Sequence, residues 1–222
     1  MKILIVSATE FEIKPTLDFY NISVKNSNET LKTISNSNFI IDFLITGVGM
    51  VNTAIKITKH LNNNYDFILN VGICGSFNVN FNIGEVVLVY QDIISEMGAE
   101  DDQKFITYDK LNLPGTNVYS DSINKNIDVF NKFKKVKGIT VNKVHGNNLS
   151  INNTVKLFNP DIESMEGAAF FAACSETNTE YCQIRAISNF VEKRNKNNWN
   201  ILLAIKNLNN ELINYLETKI WK

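Results

Sequence analysis

The chain opens on Ile3-Leu4-Ile5-Val6, four apolar positions in a row, which predicts a strand buried on both faces over residues 2–7. Ala8-Thr9-Glu10 turns the chain into a helix to about residue 20, where Pro15 is expected to leave a short first turn or a kink. Weak strands are expected at 22–24 and 30–34 and a stronger one at 39–46, before Gly47-Val48-Gly49 hands over to a helix at 50–61. A buried strand at 66–71 runs into Gly72-Ile73-Cys74-Gly75, and Ile83-Gly84-Glu85 opens another at 86–90. Residues 96–115 are polar and irregular, with a turn at Pro114-Gly115. A stretch of that length in a compact fold points to function or to an interface.

Further on, the pattern gives a helix at 120–133, a strand at 138–144, and a loop at 145–150 that leads into a short helix. The small apolar run 168–174 reads as helix, Asn178-Thr179 as a break, and 181–187 as a strand ending on Ser188-Asn189. From 199 to 221, Ile201, Leu202, Ala204, Ile205, Leu208, Leu212, Ile213 and Leu216 recur at helical spacing, which predicts a long amphipathic helix. Strands alternating with helices in this way predict an α/β fold with a parallel or mixed sheet. No repeat or linker divides the 222 residues, so one domain is expected over 1–222.

Composition narrows the function. A net charge of −1, with charges scattered along the chain, argues against nucleic acid as a partner, because nucleic acid calls for a basic face. No apolar run approaches the roughly 20 residues that span a bilayer, and the opening apolar run is too brief for a signal peptide, so no membrane partner and a cytoplasmic location are expected. The 3 cysteines, Cys74, Cys174 and Cys182, are widely spaced and read as free and buried. His60 is placed at a helix C-terminus and His145 in a loop, far apart, and no zinc spacing is present. No metal and no cofactor is expected.

The chemistry concentrates in residues 161–191, DIESMEGAAFFAACSETNTEYCQIRAISNFV. A carboxylate at a helix entrance and polar groups at the end of a buried strand meet at one pocket when they lie outside the carboxyl ends of the sheet. Glu166 has a plain alternative, a solvated first-turn acid favoured by the helix dipole. Thr46-Gly47-Val48-Gly49 and Gly72-Ile73-Cys74-Gly75 are glycine corners after strands, where a ligand can approach the backbone. Neither fits a dinucleotide or P-loop fingerprint.

ESMEGAA followed by QIRAISN resembles the signature of the nucleoside phosphorylase and nucleosidase superfamily. Glu163 to Phe171, Arg185 to Asn189, Val191-Glu192, Arg194 and Trp199 are similar to the form found in its futalosine hydrolase family. The resemblance implies a three-layer α/β/α fold, nucleoside phosphorylase-like, with a central mixed sheet. It implies hydrolysis of the N-glycosidic bond of a small-molecule purine nucleoside, futalosine, to hypoxanthine and the dehypoxanthinyl product, a step of menaquinone biosynthesis. The alternatives are a methylthioadenosine/adenosylhomocysteine nucleosidase, a purine nucleoside phosphorylase, or a nucleoside-binding protein without catalysis.

The same resemblance implies roles. Glu12 corresponds to the last glutamate of AMEEE in nucleosidases, the base that takes a proton from water, although a lone Glu there also reads as a first-turn acid. Arg185 and Glu166 would complete the cage around that water, Glu166 would face the ribose hydroxyls, and Met165 would pack on the sugar. Gly49, Gly75, Leu149 and Ser188 fall on the segments that line ribose and base, and Phe105 and Pro114 where a homodimer lends residues to its neighbour's 5′ pocket. Arg194 would meet a substrate carboxylate, or belong to a solvated charge run. Two departures stand out: Ile73 replaces a serine of the methylthioadenosine nucleosidases, and Asn189 replaces the aspartate of adenine-specific enzymes. An amide donates without needing a proton of its own, which suits a 6-oxopurine, although Asn189 could also simply cap a strand end.

Overall fold

The computed structural model describes residues 1–22, 31–35, 37–61, 64–123 and 130–220. In chain order its elements are β1 (Lys2–Ser7), α1 (Glu10–Phe19), β2 (Leu31–Ser35), β3 (Ile40–Ile45), α2 (Met50–His60), β4 (Phe67–Ser76), β5 (Val86–Ile94) and β6 (Gly98–Asp101). They continue with β7 (Lys104–Thr107), β8 (Val118–Ser120), β9 (Lys134–Thr140), α3 (Asn148–Phe158), β10 (Ile162–Ser164), α4 (Gly167–Ser175), β11 (Glu180–Phe190) and α5 (Ile201–Ile220).

Among the described residues nine strands form one mixed sheet, ordered β10-β9-β5-β11-β4-β1-β3-β2, with β8 paired to β5. β10 also pairs antiparallel with the end of β4, Ile162 opposite Ser76 and Glu163 opposite Gly75. That extra pairing closes β10, β9, β5, β11 and β4 into a ring. β1 shows how sequence builds the layers. Ile3 and Ile5 point to one face and pack with Leu17 of α1 and Leu208 of α5. Leu4 and Val6 point to the other, with Ile57 of α2 and Phe170 of α4. A continuous apolar strand is what a sheet covered on both faces requires. Each such side chain contributes about 1.5–3 kcal/mol by leaving water.

Several boundaries differ from expectation. β4 does not stop at residue 71 but runs through its glycines to Ser76, laddering with β11 and β10. Glycine weakens a strand by its backbone entropy and missing side chain, and here ladder bonds on both sides offset that cost. β5 likewise continues past residue 90 to Ile94 because β9 stays paired with it. β9 covers Lys134–Thr140 rather than 138–144. The irregular reading of 96–115 is corrected in part: β6 and β7 form a hairpin at Asp102, whose φ of 55° aspartate tolerates. Residues 23–30, 124–129 and 221 lie outside the described residues, and with them most of the expected strand at 22–24, the middle of the expected helix at 120–133 and the end of the expected helix at 199–221.

Pro15 lies inside an unbroken α1. The helix is mended from outside. Asn209 of α5, buried, accepts from Thr16 N at 3.0 Å and donates to the Glu12 carbonyl at 2.8 Å. It thus bridges the two backbone groups that an i→i−4 bond would join, a side chain inserted into the helical ladder beside a proline.

Candidate active site

A cavity of about 290 Å³ opens at the carboxyl ends of β1, β4, β10 and β11. Open α/β sheets bind ligands in this position. Thr9, Glu12, Ile73, Cys74, Gly75, His145, Glu163, Met165, Glu166, Ser188, Asn189 and Trp199 all reach it. The expected residues Glu12, Gly75, Met165, Glu166, Ser188 and Asn189 are therefore brought together from four separate segments.

Glu12 is a first-turn acid and also lines the cavity. It is the third residue of α1, and its Oε2 closes a capping box, accepting from Thr9 N at 3.0 Å and from Thr9 Oγ1 at 2.8 Å. Its other oxygen, Oε1, accepts from Ile73 N at 3.1 Å across the cavity floor. The carboxylate is 7% exposed and locked at both oxygens. Position 73 therefore contributes a backbone donor, whatever its side chain.

Glu166 is the residue before α4, yet its side chain makes no cap bond to that helix. Instead Oε1 accepts from Gly49 N at 3.2 Å and Oε2 from Met165 N at 3.3 Å. Gly49 adopts φ 98°, a left-handed geometry that favours glycine and aims its N–H at the site. Arg185 Nη1 stands 3.6 Å from Glu166 Oε2. Burial pushes the Glu166 carboxyl up, the Arg185 guanidinium pulls it down, Glu12 pushes it up again, and the net is upward. Arg185, 1% exposed, is held on its other sides by Gln183 Oε1 at 2.8 Å from Nε and Asn70 Oδ1 at 2.5 Å from Nη2. A buried guanidinium is tolerated because two hydrogen bonds and the opposite charge of Glu166 offset its desolvation.

At the end of β11 the register against β4 shifts between Ile187 and Asn189. The extra residue is Ser188. In a regular strand Ser188 and Asn189 would face opposite ways, but the bulge brings both to the cavity. Ser188 Oγ lies 3.0 Å from the Cys74 carbonyl and 2.8 Å from Asn189 Oδ1, and Asn189 Nδ2 donates to the Phe190 carbonyl at 2.9 Å. The reverse amide orientation would face carbonyl to carbonyl. Nδ2 therefore keeps one N–H free to donate.

The sequence reading left out several residues here. His145 is not partnerless: its Nδ1 meets Glu163 Oε2 at 2.6 Å and its Nε2 meets Thr154 Oγ1 at 2.8 Å. Two residues 18 apart in sequence give no spacing signal. Asn70, Gln183 and Trp199 were also unassigned. Gln183 and Arg185 share one strand face at i, i+2, which is a legible signal. Burial pushes the Cys74 thiol up to about 12, so it stays protonated near neutral pH. All three cysteines are free and buried, and His60 ends α2, as expected.

Six expected residues do not line this cavity: Arg185 and Gly49 stand behind it, each against the Glu166 carboxylate, and four others lie away from it. Leu149 is 70% exposed in the first turn of α3. Phe105 packs against Phe158, and the Pro114 carbonyl accepts from Tyr108. Arg194 stacks its guanidinium 5.2 Å from the ring centroid of Trp199, which does reach the cavity. Its spacing after Asn189 cannot reveal that the chain turns away after β11. Among the described residues no three His, Cys, Asp or Glu side chains gather as a metal site, and no helix is long and apolar enough to cross a membrane.

Residues 2–217 match the family model of the Phosphorylase superfamily, and the chain belongs to that family. Its fold is nucleoside phosphorylase-like: a mixed sheet with helices on both faces. A futalosine hydrolase of Thermus thermophilus is 26% identical over 183 residues, 75% of this chain and 76% of that protein. The native structure of futalosine hydrolase of Helicobacter pylori strain 26695 superposes with a TM-score of 0.83 at 17% identity, covering 98% of each chain. The 5′-methylthioadenosine/S-adenosylhomocysteine nucleosidase of Helicobacter pylori, with butyl-thio-DADMe-Immucillin-A, gives 0.82 at 15% identity, again over 98% of each chain.

Proposed function

We propose that the protein is a purine nucleosidase that hydrolyses the N-glycosidic bond of futalosine to hypoxanthine and dehypoxanthine futalosine, a step of menaquinone biosynthesis. The observation that carries this reading is the convergence of Glu12 and Glu166 on one cavity that also holds the oriented Asn189 amide, with the Arg185 guanidinium 3.6 Å from Glu166. Water attacks the anomeric carbon and gives its proton to Glu12, while the bond to the purine breaks and its electron pair leaves with the base. Positive charge grows on the ribose during that step, and the Glu166 carboxylate beside it stabilises that charge. The free N–H of Asn189 donates to N7 or O6 of the departing 6-oxopurine.

Hydrolysis is favoured over phosphorolysis by the charges. The sequence holds two arginines, Arg185 and Arg194. The first is committed to Glu166, Gln183 and Asn70, and the second stands outside the cavity lining. Two carboxylates at the water position would repel phosphate. Phe105, Pro114 and the 54% exposed Leu113 are read as the part that a homodimer partner would receive, which light scattering tests.

The deciding experiment incubates the protein with futalosine, methylthioadenosine and inosine, with and without phosphate, and follows the free base. Phosphate-independent release from futalosine in preference to methylthioadenosine is expected. Preference for methylthioadenosine would move the reading to the adenine-specific nucleosidases, and no release at all would leave a binding protein.

A further inference from the structure

Asp92 is a carboxylate in the middle of the apolar strand β5, and it is 1% exposed. It lies outside the cavity lining, and nothing above assigns it a role. Its hydrogen bonds lead to both arms of the site. Its Oδ1 accepts from Thr140 Oγ1 at 2.8 Å, and Thr140 Oγ1 in turn accepts from Ala168 N at 2.7 Å. Ala168 is in the first turn of α4, directly after Glu166-Gly167. Its Oδ2 accepts from Gln183 Nε2 at 3.1 Å, and Gln183 Oε1 accepts from Arg185 Nε. One carboxylate thus terminates a chain from the helix that carries Glu166 and a chain from Arg185.

Room is kept for this arrangement. A methyl group on Gly167 would overlap Asp92 Oδ2, and one on Gly138 would come within 2.9 Å of it. The direction of every bond is also fixed. The Ala168 amide and the Arg185 Nε–H can only donate, so Thr140 must donate onward to Asp92 and Gln183 must turn its NH2 toward Asp92. Only an acceptor at both oxygens of residue 92 closes both chains. A protonated carboxyl, or an asparagine, would set a donor against Thr140 or against Gln183. If Gln183 turned over in response, its NH2 would face Arg185 and the guanidinium would lose that acceptor.

We propose that ionised Asp92 is a positioning residue for the reaction, orienting Arg185 through Gln183 and the first turn of α4 through Thr140. The proposal rests on the reading of Glu166 and Arg185 as catalytic. Burial raises the Asp92 carboxyl to about 6, against the lowering effect of Thr140, Gln183, Arg185 and the Ile93 amide. Besides Arg185, the charged or titratable group that feels Asp92 is the Cys74 thiol, which stays protonated there. The orientation should therefore loosen under mildly acidic conditions.

The test uses the full chain labelled with ¹⁵N. With two arginines in the sequence, one stacked on the surface and one buried, the two Nε–H resonances separate readily and Arg194→Lys assigns them. The Arg185 resonance is expected to shift with a midpoint near pH 6, and to lose that shift in Asp92→Asn. The same variant should lower kcat about tenfold or more with KM within about twofold, and flatten the acid limb of the kcat profile. An Arg185 resonance that ignores pH in the wild-type protein, or an Asp92→Asn variant that is folded with an unchanged kcat and acid limb, would overturn the proposal. The wild-type titration decides the coupling even if the variant does not fold. If the coupling is present but no nucleoside is cleaved, the functional reading has failed and the relay has not.

Discussion

Arg185 Nη1 occupies the space that a side chain on Gly72 would need. A Cβ at position 72 would overlap that nitrogen and stand 3.0 Å from Glu12 Oε1. Gly72 is thus the gap across which the guanidinium and the first carboxylate approach the same point. Gly72→Ala is expected to displace Arg185, which is pinned by three partners and has nowhere to go. Overpacking of this kind costs about 1–3 kcal/mol, a fall of roughly 2–4 °C in Tm per kcal/mol at this chain length. Calorimetry and kcat on one preparation check it, and an alanine variant with both values unchanged would refute the geometry.

Glu12→Gln is expected to lower kcat by about 10²- to 10⁴-fold and leave KM nearly unchanged, the loss of a general base. An amide oxygen in place of Oε2 can still accept from Thr9 N and Thr9 Oγ1, but its NH2 is then set against the Ile73 N–H. A stability loss of about 1–3 kcal/mol from the Ile73 N–H left without an acceptor should accompany it. Steady-state kinetics beside a denaturant titration separates the two effects, and a wild-type kcat would remove Glu12 from the mechanism.

Asn189→Asp should weaken action on the 6-oxopurine, relative to its 6-amino analogue, through a local clash. The new oxygen would face the Phe190 carbonyl, which Nδ2 now approaches to 2.9 Å, and also O6 of the purine. Mismatched buried acceptors cost roughly 1–3 kcal/mol, about tenfold or more in kcat/KM for the 6-oxopurine. Protonating the aspartate restores a donor, so the loss should ease as pH falls. Rates for futalosine and its 6-amino analogue across pH test this, and an unchanged preference would move specificity to the 5′ pocket.

Asn209→Leu removes the amide that mends α1 beside Pro15, leaving Thr16 N and the Glu12 carbonyl without their bridge. Each buried orphan costs about 1–3 kcal/mol. Because the bridge is anchored on Glu12 itself, activity should fall below what the loss of folded protein explains. Activity per folded molecule, measured well under the melting transition, would have to stay at the wild-type level to exclude that link.

Stability should respond to pH at Asp92 with a definite sign. Burial raises its carboxyl from 3.8 to about 6, so between those values the folded protein keeps a proton that the unfolded chain has lost. This contribution is present below the unfolded value and is lost as pH rises through about 6. Burial raises the Glu166 carboxyl as well, with the same sign. The urea midpoint of the wild type relative to Asp92→Asn should therefore be more favourable near about pH 4.5 than near about pH 7. A difference that does not vary with pH would contradict it. The charge state that orients Arg185 is thus the one that costs the fold more.

The sequence by itself determined the layers and most of the candidate site. Ile3-Leu4-Ile5-Val6 could only be a strand covered on both faces, and the helical spacing from Ile201 to Leu216 could only be one long amphipathic helix, because burial periodicity is a local property. Glu12, Glu166, Arg185 and Asn189 were legible through the resemblance of their short motifs to those of the nucleosidases; spacing alone left Glu12 and Glu166 equally readable as first-turn acids. Tertiary structure alone decided what joins them. Asp92 sits two residues beyond where its strand was expected to end, and its partners Thr140 and Gln183 come from other strands. The His145–Glu163 pair depends on a loop folding back, and the bulge at Ser188 on β11 slipping by one residue against β4. Arg194 and Leu149 read as site residues in sequence, yet the chain turns each of them away from the cavity lining. Periodicity records which face of an element is buried. It does not record which other element's hydrogen-bonding group waits there, and buried polar partners are chosen by that meeting.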